Sequence, residues 1–204
     1  MNAPRSRGFT LIEVLIALAL FALVSGVAYR GLSAVLDARQ RLAAETLKWR
    51  NLNTAFALMG QAVANSVDRS VLDADNRLTA SFMGWDLPRQ GDRQGDHLLF
   101  ELTRTGFPGR SGALVDLQRV GFALNDGRLE QFLWPVLDRA PRSRPGRTTL
   151  LDAVQEAEVR FLDHEGAWHP TWPRRDHNEP LPAAVGLSLR LTSGEQLARI
   201  FPLR

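Results

Sequence analysis

Near its N-terminus the chain reads Arg7-Gly8-Phe9-Thr10-Leu11-Ile12-Glu13-Val14-Leu15, and this segment determines how the whole chain is organised. It opens a run of 20 residues, from Phe9 to Ala28, of which 16 are apolar. As an α-helix this run would be about 30 Å long, which matches the hydrocarbon core of a bilayer. Arg5 and Arg7 precede it, and basic flanking residues stay on the cytoplasmic side. We therefore expect the rest of the chain to lie beyond the membrane.

Three interpretations of the apolar run compete. A cleaved secretory signal peptide has a shorter apolar region, roughly 7 to 15 residues, that ends in small residues. This run is longer, and Ser25-Gly26-Val27-Ala28 is a weak cleavage site. A plain signal anchor would keep the run on the mature protein. In the third interpretation the chain is cut between Gly8 and Phe9, and the apolar helix is again retained.

Glu13 separates these interpretations. A carboxylate inside a spanning helix costs about 3 kcal/mol on insertion scales and less near the interface, and a signal peptide has no use for it. If the chain is cut after Gly8, the new ammonium group of Phe9 lies four residues, or one helical turn, before Glu13. In a bundle of such helices, Glu13 of one subunit could pair with the Phe9 amine of another. The alternative is that Glu13 simply lies in the headgroup layer.

The motif Gly8-Phe9-Thr10-Leu11-Ile12-Glu13 resembles the class III signal of type IV pilins and the related pseudopilins. The resemblance covers about 25 residues. It implies that a membrane-embedded prepilin peptidase cleaves after Gly8 and then N-methylates Phe9. It also implies that Glu13 is needed for assembly.

Helical spacing continues after Ala28. Apolar residues recur at steps near three and four, with charged residues between them, and no proline occurs between Pro4 and Pro88. The stripe consists of Leu32, Val35, Leu36, Leu42, Ala43, Leu47, Phe56, Met59 and Val63. This pattern predicts one long helix, membrane-spanning over 9–29 and amphipathic over 30–65, with its outer half packed on a sheet.

From about residue 80 the pattern changes to short alternating runs that indicate strands. They begin near Leu98, Leu117, Leu129, Glu156, Val185 and Gln196. Asn125-Asp126-Gly127 and Ser193-Gly194 are turn signals between neighbouring runs. Loops are expected at 84–96, 104–113, 138–148 and 164–182, and 66–80 stays unassigned. One long helix followed by strands predicts an α+β, pilin-like fold, a long N-terminal helix packed on antiparallel β-sheets, with a β-rich head over 66–204.

An ordered series of short motifs extends the resemblance over most of the chain. It consists of Tyr29-Arg30-Gly31-Leu32, Leu117-Gln118-Arg119-Val120, Leu133-Trp134-Pro135 with Leu137-Asp138, Trp168, Trp172-Pro173 and Leu181-Pro182. The series resembles the J-type minor pseudopilins of type II secretion. One departure is Met59-Gly60 before Gln61, where family members often carry an acidic residue.

The J-type resemblance implies a non-enzymatic subunit, anchored in the bacterial inner membrane by one pass, with a periplasmic head. Its partners would be the I- and K-type minor pseudopilins at the pseudopilus tip, with the H-type subunit below, besides prepilin peptidase and inner-membrane lipid. That tip initiates pseudopilus assembly and supports protein export across the outer membrane. A type IV pilus minor pilin and a membrane-tethered periplasmic enzyme remain the alternatives.

Neither the composition nor the motifs of the chain indicate catalysis. The 204 residues contain no cysteine, which excludes disulfides and thiol nucleophiles, and the net charge of +3 does not call for nucleic acid. His164 and His169 are five apart beside Gly166 and Pro170, which does not fit the four-residue helical spacing of a zinc protease. We therefore expect both histidines in a solvated loop, and we expect no cofactor, metal or catalytic residue.

Two groups of residues are candidates for partner contacts. Arg139, Arg142, Arg144 and Arg147 lie within nine residues, either in a solvated loop or as a dock for an acidic neighbour or lipid headgroups. Trp168 and Trp172, with two nearby prolines, either cap the sheet or form an exposed aromatic contact.

Overall fold

The computed structural model describes residues 10–90, 97–107, 116–139, 143–174 and 179–203. One helix, α1, spans Leu11–Ala64. The chain divides into two compact units, Met1–Trp49 and Arg50–Arg204.

The first unit contains the apolar part of α1. This helix is long and apolar enough to cross a membrane, with an 18-residue window of mean hydropathy 2.5, none of it buried. Farther along, Leu32, Val35, Leu36 and Leu42 are at least half exposed. The prediction that the whole outer half of the helix packs on a sheet is therefore wrong over this stretch. Leu52 is the first buried residue among those of the helix whose burial the structure describes.

The second unit contains the end of α1 and the strands. The strands of the described residues are β1 Val71–Leu72, β2 Leu78–Thr79, β3 Phe82–Gln90, β4 His97–Phe107, β5 Asp116–Asn125, β6 Arg128–Leu133, β7 Gly146–Leu151, β8 Val154–Leu162, β9 Trp168–His169, β10 Ala184–Leu191 and β11 Gln196–Pro202. They form antiparallel sheets with the orders β3-β4-β5-β6-β7 and β11-β10-β8-β9, and a small β1-β2 pair. The predicted α+β fold is confirmed.

The main core lies between the end of α1 and the inner faces of the two larger sheets. Met59 and Val63 of the helix are fully buried there, together with Phe100, Phe122 and Phe161 of the strands. Each fully buried side chain of this size stabilises the fold by about 2 kcal/mol. The head is therefore held by apolar burial that reaches the helix only through its last turns.

The strand predictions miss both edge strands of the five-stranded sheet, β3 and β7. Asn125-Asp126-Gly127 joins β5 to β6 and Ser193-Gly194 joins β10 to β11, as the turn signals predicted. The predicted loop at 84–96 is wrong over its first half, because β3 runs to Gln90. Pro88 interrupts the alternation there, and a proline is tolerated because β3 is an edge strand. The loops predicted at 104–113 and 138–148 also overlap strand ends, at Phe107 and Gly146.

Candidate functional site

Glu13 sits at the beginning of the exposed apolar helix. Its Oε2 accepts hydrogen bonds from the backbone nitrogen of Thr10 at 3.1 Å and from Thr10 Oγ1 at 3.0 Å. In return, the Glu13 backbone nitrogen donates to Thr10 Oγ1 at 3.4 Å. This reciprocal arrangement is a capping box, which satisfies donors that the first helical turn leaves open. Gly8 and Phe9, the predicted processing residues, lie outside the described residues.

Arg139 lies inside the head rather than on its surface. Its side chain is 8% exposed, and its Nη2 donates to Glu101 Oε2 at 2.6 Å. The guanidinium also lies over the ring of Trp134, 4.0 Å from the ring centre. Its backbone nitrogen donates to the Leu72 carbonyl at 2.8 Å, which ties the segment to β1. These contacts support a structural role for Arg139.

Arg119 completes a buried ion cluster with Glu101 and Arg139. It is fully buried and donates to Glu101 Oε1 at 2.9 Å, to Thr103 Oγ1 at 3.0 Å and to the Ser81 carbonyl at 2.7 Å. Burial alone would raise the pKa of Glu101, but the two guanidinium groups outweigh it and hold that pKa below its ordinary value. Glu101 is therefore ionised in the folded head.

The other predicted arginines have different positions. Arg142 lies outside the described residues. Arg144 and Arg147 are exposed, and the guanidinium of Arg147 lies 4.7 Å from the centre of the Phe132 ring. Of the predicted arginine dock, these two remain on the surface of the described part of the chain.

The two candidate tryptophans have opposite environments. Trp172 is 2% exposed, and its backbone exchanges hydrogen bonds with Gly84 of β3 at 2.8 and 3.0 Å. It therefore joins the segment before β10 to the edge of the five-stranded sheet. Trp168 is 40% exposed, and its ring lies over Gly186 of β10, where an added Cβ would be 2.9 Å from the ring.

A shallow groove lies on the outer face of the four-stranded sheet beside Trp168. Its volume is about 260 Å³, and its apolar lining includes Gly186, Ala198 and Ile200. Ile200 is 63% exposed. The nearby charges of Glu158 and Arg160 form an exposed ion pair at 2.7 Å. Trp168 and Ile200 supply the exposed large apolar side chains of this groove.

Asp163 organises the turn that follows β8. Its carboxylate is almost fully buried and accepts hydrogen bonds from the backbone nitrogens of Ala167 and Glu165, from His169 Nε2 at 2.6 Å and from Arg174 Nη1 at 2.8 Å. The bond from Ala167, followed by the bond from His169, lowers the pKa of Asp163 to about 2. The expectation that His169 is solvated is therefore wrong, whereas His164 is exposed. Among the described residues, no three metal-ligating side chains come together.

Asp163→Asn should change how the stability of the head depends on pH. The pKa of Asp163 is lower in the folded state than its usual value near 4, so its contribution is complete above about pH 5 and is lost progressively as pH falls toward 2. We expect the difference in unfolding temperature between wild type and Asp163→Asn to be constant above pH 5 and to shrink between pH 4 and 2. Asp152→Asn, at an exposed ion pair, is the matched control. A difference that does not vary with pH would contradict the argument.

Comparison with known protein families covers nearly the whole chain. Residues 30–203 match the family described as type II secretion system (T2SS), protein J. Residues 3–29 match the prokaryotic N-terminal methylation motif. The chain belongs to the type II secretion system protein J family. It is thus a minor pseudopilin, and the type IV pilus alternative is not favoured.

Individual members of the protein J family align over almost the full length. The type II secretion system protein J of Vibrio cholerae serotype O1 is 28% identical over 213 residues, covering 95% of this chain and 86% of that protein. The Klebsiella pneumoniae protein J is 27% identical, with 98% and 96% covered. The similarity therefore includes both the apolar helix and the head.

A solved structure has the same fold. A chain of the GspK-GspI-GspJ complex from enterotoxigenic Escherichia coli superposes with a TM-score of 0.62 at 21% identity, covering 77% of this chain and 97% of that one. Pseudopilins are structural subunits. The α+β fold predicted from the sequence agrees with the fold of this solved chain.

Proposed function

We propose that this protein J family member works at the tip of a short pseudopilus, where it helps to initiate assembly and to support export across the outer membrane. The match of residues 30–203 to protein J carries this proposal. The related structure comes from a complex named GspK-GspI-GspJ, which supports I- and K-type minor pseudopilins as partners here. The H-type subunit would lie below them.

The proposed domain organisation follows the processing motif. A leader over 1–8 is removed by prepilin peptidase and Phe9 is then methylated. The helix spans the inner membrane over 9–29 and continues in the periplasm over 30–65, and residues 66–204 form the periplasmic head. The methylation-motif match over 3–29 and the exposed apolar window of α1 support this arrangement. Arg5 and Arg7, which precede the apolar run, support a cytoplasmic N-terminus by the positive-inside rule.

The head acts through contacts rather than catalysis in this proposal. Arg139 and Trp172 hold the head together, because both are buried and hydrogen-bonded. Arg144, Arg147 and Trp168 remain candidates for partner contact, because their side chains are accessible. Arg142 stays a candidate from its sequence position alone.

Mass spectrometry of the protein purified from membranes tests the processing step. We expect the first residue to be Phe9 carrying one methyl group, in a chain that remains in the membrane fraction. A Gly8→Leu variant should keep the leader, because prepilin peptidase is expected to cleave after a glycine. A mature N-terminus near residue 29, or a chain found free in the periplasm, would refute the proposal.

A further inference from the structure

The outer edge of β11 is open in the described part of the chain. β11 is the terminal strand of the four-stranded sheet, and among the described residues it pairs with β10 alone. An open edge presents unpaired N–H and C=O groups that another strand can use. Natural edges are often blunted by charges, prolines or shortness, but β11 has seven residues, one charged side chain, Arg199, and a proline only at its last position, Pro202.

The direction of each peptide group follows from the pairing. The Leu203 nitrogen donates to the Ala183 carbonyl, and the Glu195 carbonyl accepts from the Leu191 nitrogen, both at 2.9 Å. Peptide groups alternate between the two edges of a strand. Those of Leu197, Arg199 and Phe201 therefore face β10, whereas those of Gln196, Ala198 and Ile200 face outward.

The two faces of β11 have different chemistry. Ile200 lies on the outer face opposite Gly186, next to the ring of Trp168, so this side is apolar. Arg199 lies on the other face, exposed, with its guanidinium 5.6 Å from the centre of the Phe56 ring. Other charges on this sheet are paired, such as Arg190 with Glu156. Among the described residues, no carboxylate pairs with Arg199.

We propose that β11 accepts a β-strand from the head of a neighbouring pseudopilin, which extends the four-stranded sheet. The incoming strand would carry an apolar residue on the face of Ile200 and an acidic residue on the face of Arg199. Backbone hydrogen bonds would supply affinity, and these two side chains would set the register. The choice of a neighbouring subunit rests on the proposed function.

The central test compares Ala198→Pro with Ala198→Thr in the full chain. Proline removes an outward N–H without breaking a bond to β10, whereas threonine keeps the N–H and favours a strand. The chain is co-expressed with the I- and K-type subunits, extracted in detergent and recovered by affinity. We expect Ala198→Pro to reduce co-recovery of a partner roughly tenfold and Ala198→Thr to leave it unchanged. If Ala198→Pro recovers both the I-type and the K-type subunit as well as Ala198→Thr does, the proposal is overturned.

Charge reversal gives a second test that does not depend on a proline. Arg199→Glu should reduce recovery as well, whereas Arg199→Lys should keep most of it. Wild-type recovery separates the two proposals. If wild type recovers the I- and K-type subunits, and Ala198→Pro and Arg199→Glu recover them equally well, the proposed strand pairing at β11 fails and the proposed function stands. If wild type recovers neither subunit, the proposed function fails.

Crosslinking identifies the occupant. The chain has no cysteine, so Ala198→Cys provides a single thiol for a thiol-to-amine crosslinker in cells that carry the whole secretion apparatus. Thr148→Cys, on the exposed edge strand β7, is the matched control. An adduct with another pseudopilin at position 198, and not at 148, supports the proposal. An adduct only with a secreted protein, or equal adducts at both positions, would overturn it.

Discussion

Replacing Arg119 by methionine should lower the unfolding temperature of the head by about 10 °C. The change removes one of the two cations that hold the buried carboxylate of Glu101. Removing one partner of a buried ion pair costs about 3 to 5 kcal/mol. Arg139 still holds Glu101 Oε2 in this variant, so we expect a loss at the lower end of that range. In a domain of this size each kcal/mol corresponds to about 3 °C.

The measurement is thermal unfolding of the detergent-solubilised full chain, followed by tryptophan fluorescence. Trp134 is a suitable reporter because Arg139 of the same cluster stacks on its ring. Arg190→Met is the matched control, since it removes an exposed arginine from a 3.5 Å ion pair with Glu156. Exposed pairs contribute about 0 to 1 kcal/mol, so this variant should shift the temperature by about 3 °C at most. Equal shifts in the two variants would show that the buried cluster adds no more than a surface pair.

The long helix and the hairpins could be predicted because their signals are local. The apolar run and the absence of proline fix α1, which spans Leu11–Ala64. Asn125-Asp126-Gly127 specifies a tight turn by residue chemistry alone, and Asp126 and Gly127 indeed have positive φ angles. Such features need no knowledge of the rest of the fold.

The buried ion cluster could not be predicted because it depends on a layer outside the sheet. Glu101 and Arg119 alternate with Phe100 and Val120, which reads as one buried and one solvated face. In the structure both faces are covered, since Trp134 and Arg139 lie over the polar side. Alternation reveals which residues share a face, but it does not reveal whether a later segment of chain covers that face.

The sequence pattern overestimates, for a related reason, how much of helix α1 is buried against the head. Helical periodicity identifies one face from Leu32 to Val63, but Leu52 is the first buried residue among the described ones on this helix. An apolar stripe indicates that one face of the helix is to be buried. It does not indicate whether the same chain or another molecule buries that face. Leu32 and Leu36 are exposed in the isolated chain, which agrees with a subunit whose helix is to be packed in an assembly.

Changing Glu13 should have the largest effect on assembly without unfolding the head. We expect Glu13→Ala to reduce incorporation into the tip complex roughly 30-fold, if the proposed pair with the Phe9 amine of a neighbour contributes about 2 kcal/mol. The head should keep its unfolding temperature, because Glu13 lies in the other compact unit. Incorporation is measured as co-recovery with the I-type subunit from membranes.

Glu13→Gln distinguishes an intersubunit charge pair from the capping box seen in the structure. Glutamine can still accept the hydrogen bonds of Thr10, so it preserves the cap but removes the charge. If the charge pair drives assembly, Glu13→Gln should be as defective as Glu13→Ala, and Thr10→Ala should be nearly normal. If the cap is what assembly needs, Glu13→Gln should instead behave like wild type and Thr10→Ala should fail. The two carboxylate variants thus separate an effect within one helix from an effect between helices, and normal incorporation of Glu13→Ala would exclude both.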